Sequence, residues 1–277
     1  MKYSAQITKS IVTFTWLALI ACAVQAQTIY LGSPGHARAM TSEQRAAAQR
    51  ERATTRQQPL NLEAQQANEQ HNNRIVYSPH DTIEGKRLPQ YGVEGWQFAF
   101  SFPQESDPIS SAYPDRYGFG QRGKAWFLSP GPDLDNINLV TIAEGTVLFI
   151  SETVFTDNRD KDPTATIAKM RAELAAFTDT VEVEISVDGM RVKNIRDYRF
   201  QSPVFSYFLP QNSAVIGTHP DGGGFYYPAL FDGYCVMVKP LSVGNHVIKA
   251  RFKAPDFSFS DQWNVKVIKL VDPAEGN

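Results

Sequence analysis

A chain of 277 residues with a formal net charge of −2 and 20% charged residues lacks the basic excess of a general nucleic-acid binder. It has two cysteines, Cys22 and Cys235. With Cys22 placed in an export segment, no intramolecular disulfide is left to staple the fold, so stability must come from a hydrophobic core.

The chain opens as an exported protein does. Lys2 and Lys9 precede an uncharged, mostly apolar run from Ile11 to Val24, the layout of a signal peptide over residues 1–26. As a helix this run would reach only about 21 Å, short of a hydrocarbon core of about 30 Å, so a membrane span is not expected. Two processing sites stay open. Val24-Gln25-Ala26 before Gln27 suits ordinary signal peptidase and implies a soluble periplasmic or secreted protein. Leu19-Ile20-Ala21-Cys22 resembles a lipobox, which would lipidate Cys22 and tether the chain to the envelope.

Residues 27–86 read as a low-complexity arm and linker. Thr41–Glu51 has good helix formers behind a Thr/Ser cap but no apolar stripe, so it has little to bury. A β-rich domain is expected over residues 87–273. Predicted strands are Trp96–Phe102, Ala125–Leu128, Leu139–Ile142, Thr146–Glu152, Val181–Val187, Val204–Leu209, Tyr234–Lys239, His246–Phe252 and Trp263–Val271. Val181, Val183, Ile185 and Val187 alternate with Glu182, Glu184 and Ser186, the signature of a half-buried antiparallel strand. Asp188-Gly189 then supplies a tight hairpin turn into a short return strand from Met190 to Ile195. One amphipathic helix is predicted, capped by Asp162, begun by Pro163, and carrying Ile167, Met170, Leu174 and Phe177 on one stripe. The fold class is mainly β: an antiparallel sandwich or jelly roll with one packed helix behind a flexible or helical arm.

Several segments resemble a pattern found in uncharacterised exported bacterial β-sandwich proteins. They are Trp96-Gln97-Phe98-Ala99, Gln121-Arg122-Gly123-Lys124-Ala125-Trp126-Phe127-Leu128 and Glu144-Gly145-Thr146-Val147-Leu148-Phe149. In the second half they are Val187-Asp188-Gly189, Tyr198-Arg199-Phe200-Gln201-Ser202-Pro203, Asp232-Gly233-Tyr234, Lys239-Pro240-Leu241-Ser242 and Gly244-x-His246-x-Ile248. The resemblance covers about residues 91–270 and implies a sandwich and no known activity. Tyr117 and Val140 stand where that family often has a cysteine pair, so a family disulfide is absent here. Phe149-Ile150-Ser151 lacks its usual proline.

Chemistry is sparse. Histidines at 36, 71, 80, 219 and 246 lack the paired spacing of a zinc site. Asp157, Asn158, Asp160 and Asp162 form a candidate calcium loop, because calcium takes clustered oxygens; Arg159 and Lys161 partly neutralise it, and helix capping accounts for the same residues. No other cofactor is expected. There is no Gly-x-Ser-x-Gly elbow. The strand carboxylates Glu152, Glu182 and Glu184 have no spacing that selects them for glycoside hydrolysis, which needs only spatial proximity. His246 reads as a structural histidine, Cys235 as a small buried hydrophobe, and Trp96, Trp126 and Trp263 as core.

The segment His219-Pro220-Asp221-Gly222-Gly223-Gly224-Phe225-Tyr226-Tyr227 is the candidate ligand site. Three adjacent aromatics cannot all face a core, and an exposed ring offers a large flat area for stacking. Phe225, Tyr226 and Tyr227, with His219 and Asp221 beside them, would make such a platform; the competing reading folds the rings onto a sheet edge. The expected function is that of an exported binding protein for a glycan or a protein. A hydrolase or lyase acting on an extracellular polymer and a structural envelope lipoprotein are the alternatives.

Overall fold

The computed structural model describes residues 62–106, 120–128, 137–158, 163–213 and 222–270. The export segment, Cys22 and the helix expected at Thr41–Glu51 lie outside the described residues. The described chain is mainly β, with two five-stranded sheets and three α-helices.

The first sheet contains β1 (Ala125–Leu128), β3 (Val147–Asp157), β6 (Arg199–Gln201), β7 (Phe205–Leu209) and β8 (Gly224–Val238). Its path is β1-β3-β8, and β8 is long enough to carry β7 on its first part and β6 on its middle. The second sheet runs β2-β10-β9-β4-β5, from β2 (Ile137–Ala143) through β10 (Ser258–Ile268), β9 (Gly244–Lys253) and β4 (Glu182–Val187) to the two-residue β5 (Met190–Arg191). Most pairings are antiparallel, as expected, but β1 runs parallel to β3 and β2 parallel to β10. The hairpin at Asp188-Gly189 forms as predicted, with both residues at positive φ (49° and 78°).

The inward rows follow the period of two. Val183, Ile185 and Val187 of β4, Ile248, Ala250 and Phe252 of β9, and Trp263, Val265 and Val267 of β10 are buried, while their sequence neighbours are exposed or only part-buried. The strands β3 and β8 are covered on both faces and are accordingly near-continuous in apolar residues. One of their faces is sealed by a helix, α2 (Leu88–Phe100). Gly92 of α2 lies so close to the sheet that a Cβ there would sit 2.3 Å from Cζ of Phe231. Trp96 donates its indole N–H to Thr153 Oγ1 at 3.0 Å and packs on Phe155.

This helix corrects the strand expected at Trp96–Phe102. Trp96, Phe98, Phe100 and Phe102 alternate like a strand, but Pro89 in the first turn and Gln90, whose side chain accepts from the Arg87 N–H at 2.8 Å, start a helix upstream of them. Leu88, Tyr91, Gly92, Gly95, Trp96 and Ala99 then line one helical face. The second packed helix, α3 (Ile167–Thr178), begins four residues later than expected. Its cap is Thr166, which accepts from Lys169 N–H at 3.2 Å, while Pro163 lies in a turn before it and Asp162 is outside the described residues. Met170, Leu174 and Phe177 point inward as predicted, whereas Ile167 is exposed.

The expected arm differs most. Helix α1 (Leu62–Asn72) is largely exposed, but the chain after it joins the first sheet. Tyr77 N–H donates to Met237 O, Lys239 N–H donates to Ile75 O, and Ile75, Val76 and Ile83 are core residues. The packed domain therefore begins before residue 87. Asn72, the last residue of α1, is tied instead to the segment after β5: its side-chain amide donates to Lys193 O and accepts from Lys193 N–H, both at 2.8 Å.

Candidate functional site

The glycine-rich segment enters β8, not a free loop. Because β8 begins at Gly224, ten residues before the predicted strand, the three aromatics obey strand alternation. Phe225 is 81% exposed and Tyr227 66% exposed, while Tyr226 between them is 7% exposed. The neighbouring strand does the same: Phe205, Tyr207 and Leu209 are buried, and Phe208 is 45% exposed. Phe208 pairs with Phe225 across the strands, their centroids 5.2 Å apart and their planes tilted by 58°. Phe208, Phe225 and Tyr227 thus make an exposed aromatic strip. Phe208 joins the candidate residues only in the structure, although the alternation of Phe205, Tyr207 and Leu209 around it is readable in the sequence.

Beneath the strip the hairpin is firmly packed. Tyr226 stacks on Tyr207 with centroids 5.4 Å apart and a 17° interplanar angle, and its hydroxyl donates to Gly222 O. Tyr207 in turn rests on Phe100 of α2 and donates its hydroxyl to Asp157. The glycines allow close approach: a Cβ on Gly223 would lie 2.6 Å from the backbone of Gln211, whose side chain accepts the Gly223 N–H. His219 and Asp221 lie outside the described residues.

The other sequence candidates are placed as follows. Of the calcium set, Asp157 is occupied by the Tyr207 hydroxyl, and Asp160 and Asp162 are outside the described residues; Asn158 closes β3 through its N–H to Pro228 O. Among the described residues no three His, Cys, Asp or Glu side chains group so as to hold a metal ion, and no helix is long and apolar enough to cross a membrane. Glu182 pairs with Lys253 and Glu184 with Arg191, both on the outer face of the second sheet. Cys235 is fully buried, and burial pushes its thiol up to about 12.

The segments around Tyr198–Ser202, Asp232–Tyr234, Asp188 and His246 turn out to clamp one another. Arg199 lies opposite Tyr234, and its guanidinium forks onto the fully buried Asp232 at 2.8 and 3.1 Å. Gln201 donates to the same carboxylate at 3.0 Å, and Arg199 also reaches Asp179 and the Ala175 carbonyl on α3. Ser202 and Phe231 exchange hydrogen bonds at 2.9 Å. A Cβ on Gly233 would strike the backbone of Glu152 and Thr153 at 2.5 Å. Asp188 accepts from Val247 N–H and holds His246 Nδ1 at 2.7 Å, while His246 Nε2 meets Ser242 O at 2.8 Å. Burial opposes the imidazolium, but these two partners outweigh it and raise the His246 pKa. These motifs are structural ties between strands.

No family model matches the chain, and no curated protein does. Solved structures match about half of it. One is a cysteine protease inhibitor from Entamoeba histolytica, 16% identical, covering 51% of this chain and 96% of that one, with a TM-score of 0.21. Another is PbICP-C in complex with falcipain-2, 11% identical, covering 53% and 100%, with a TM-score of 0.22. Amebosin is 15% identical over 49% and 100%, with a TM-score of 0.17. At scores of this size the likeness fixes neither the fold nor a partner.

Proposed function

We propose that this is an exported β-sandwich protein that acts by binding, with its ligand taken on the Phe208–Phe225–Tyr227 strip. The observation that carries the reading is the pairing of Phe225 with Phe208 on the outside of a hairpin whose inner face is locked by Tyr226 and Tyr207. Large aromatic rings held rigidly in solvent lose little entropy on contact and remove much apolar area from water. The 58° tilt makes a ridge and not a flat floor, which favours a protein partner with an apolar groove over the face of a sugar ring. No comparable observation favours catalysis.

Binding is tested with Phe225→Ala and Tyr227→Ala, singly and together, against a glycan array and immobilised envelope proteins. Each replacement should change stability by no more than about 0.5 kcal/mol, because the rings are exposed. The double variant should lose at least about tenfold in affinity for whichever ligand the unaltered protein retains. Undiminished binding would show that the strip is not the site, and selective retention of one glycan would replace the protein partner with a sugar.

Export rests on Lys2, Lys9 and the apolar run before Ala26. Mass spectrometry of protein recovered from the native host should find a chain beginning at Gln27, or at a lipidated Cys22. A chain beginning at Met1 would overturn the proposed compartment.

A further inference from the structure

The outer face of the second sheet is made by the rows that β2, β4, β9 and β10 turn away from the core. Register sets Ile137, Gln262, Lys249 and Ser186 side by side across these strands, and Leu139, Asn264 and Val247 in the next row. Arg251 follows Lys249 two residues along β9, and Lys266 stands one row beyond Val247 on β10. Residues paired in this way, or two apart on one strand, project from the same face.

Charge on this face is one-sided. Glu182 is paired with Lys253 and Glu184 with Arg191, and the outward rows of these strands hold no other acid. Lys249, Arg251 and Lys266 are exposed, and none makes an ion pair among the described residues. The whole chain carries −2, so these uncompensated cations are a local segregation of charge and not a general excess. Aliphatic side chains are interleaved with them. Ile137 is 62% exposed and Leu139 70%, with Val247 exposed two strands away. Their strand β2 is the sheet edge among the described residues and has no charged residue, although charge is the ordinary guard of such an edge. No aromatic ring stands in the outward rows, so the face has no stacking plane for a sugar.

We propose that this face rests on an anionic lipid surface, with Lys249, Arg251 and Lys266 against the phosphates and Ile137, Leu139 and Val247 entering the interfacial layer. Charge complementarity carries the assignment. Lipid phosphates meet cations that no acid of the face answers, and aliphatic side chains at the same level gain by leaving water. A soluble polyanion would satisfy the cations but leave the aliphatic border in water. The aromatic strip belongs to the other sheet, so this surface stands whether or not the strip takes a ligand.

The test is co-sedimentation of the full chain with vesicles of phosphatidylcholine alone and with vesicles that also contain phosphatidylglycerol. Binding should be stronger to the anionic vesicles. That preference should fade as salt rises from about 0.1 M to 1 M, where the screening length shrinks from about 10 Å to 3 Å. Lys249→Gln, Arg251→Gln and Lys266→Gln combined should remove roughly a hundredfold of the preference. Ile137→Ser with Leu139→Ser should weaken binding to both kinds of vesicle. All five side chains are exposed, so the urea midpoints of these variants should stay close to that of the unaltered protein. The apolar run Ile11–Val24 is common to every variant and cancels in the anionic-to-neutral ratio. Equal affinity for the two kinds of vesicle, or a preference that survives the triple replacement, overturns the proposal. Binding to soluble heparin that the triple replacement abolishes and no vesicle reproduces also overturns it, because the partner would then be a polyanion and not a membrane.

Discussion

Replacing Asp232 by alanine should destabilise the protein by about 3–5 kcal/mol, among the largest effects of any single side chain. The carboxylate is fully buried and accepts three hydrogen bonds, two from the Arg199 guanidinium and one from Gln201. Removing it leaves a mostly buried guanidinium whose remaining ionic partner, Asp179, is half exposed. Asp179→Ala is the control. That contact faces solvent and should be worth no more than about 1 kcal/mol. Urea midpoints of the two variants should therefore differ several-fold in their shift. Equal, small shifts would mean that the Arg199–Asp232 tie does not hold β6 to β8.

Tyr226→Ala should cost about 3–5 kcal/mol, as for other buried aromatics, while its neighbour Tyr227→Ala is close to neutral. Tyr226 fills the space under the hairpin, stacked on Tyr207 and tied to Gly222 O, and its loss opens a cavity beside Tyr207, which itself rests on Phe100 and Phe155. A double-mutant cycle with Tyr207→Ala should show coupling of roughly 0.5–1.5 kcal/mol beyond the area each ring buries. Thermal melts of Tyr226→Ala and Tyr227→Ala decide the matter. A large loss at Tyr227 would mean that its ring is not the exposed one, and the strip proposed for ligand binding would lose one of its three members.

The amount of the fold legible in the sequence varied with how local its cause is. The inward row Val183–Val187 and the Asp188-Gly189 turn depend on alternation and on positive φ, and these are written in neighbouring residues. The start of α2 was also local, in Pro89 and Gln90, but the aromatic alternation at 96–102 masked it. The candidate site is legible in part. Phe225 and Tyr227 were named, but Tyr226 was grouped with them because β8 was expected to begin at Tyr234. The ten residues added to β8 decide which rings turn outward, and what extends the strand is its pairing with β7 and β3, a non-local cause.

By itself the sequence determined a β-rich core and an inward stripe on α3, since composition and short-range periodicity are enough for each. Only the tertiary structure decided which distant segments meet. Tyr198–Ser202 and Asp232–Tyr234 look like separate motifs until β6 lies on β8 and brings Arg199 onto Asp232. The buried rows Ile150–Val154 and Trp263–Val267 lie more than a hundred residues apart, and the period-two pattern says only that the second faces inward. That both inward rows belong to opposing sheets follows from topology, and topology is set by the summed burial of the whole core, which no local window contains.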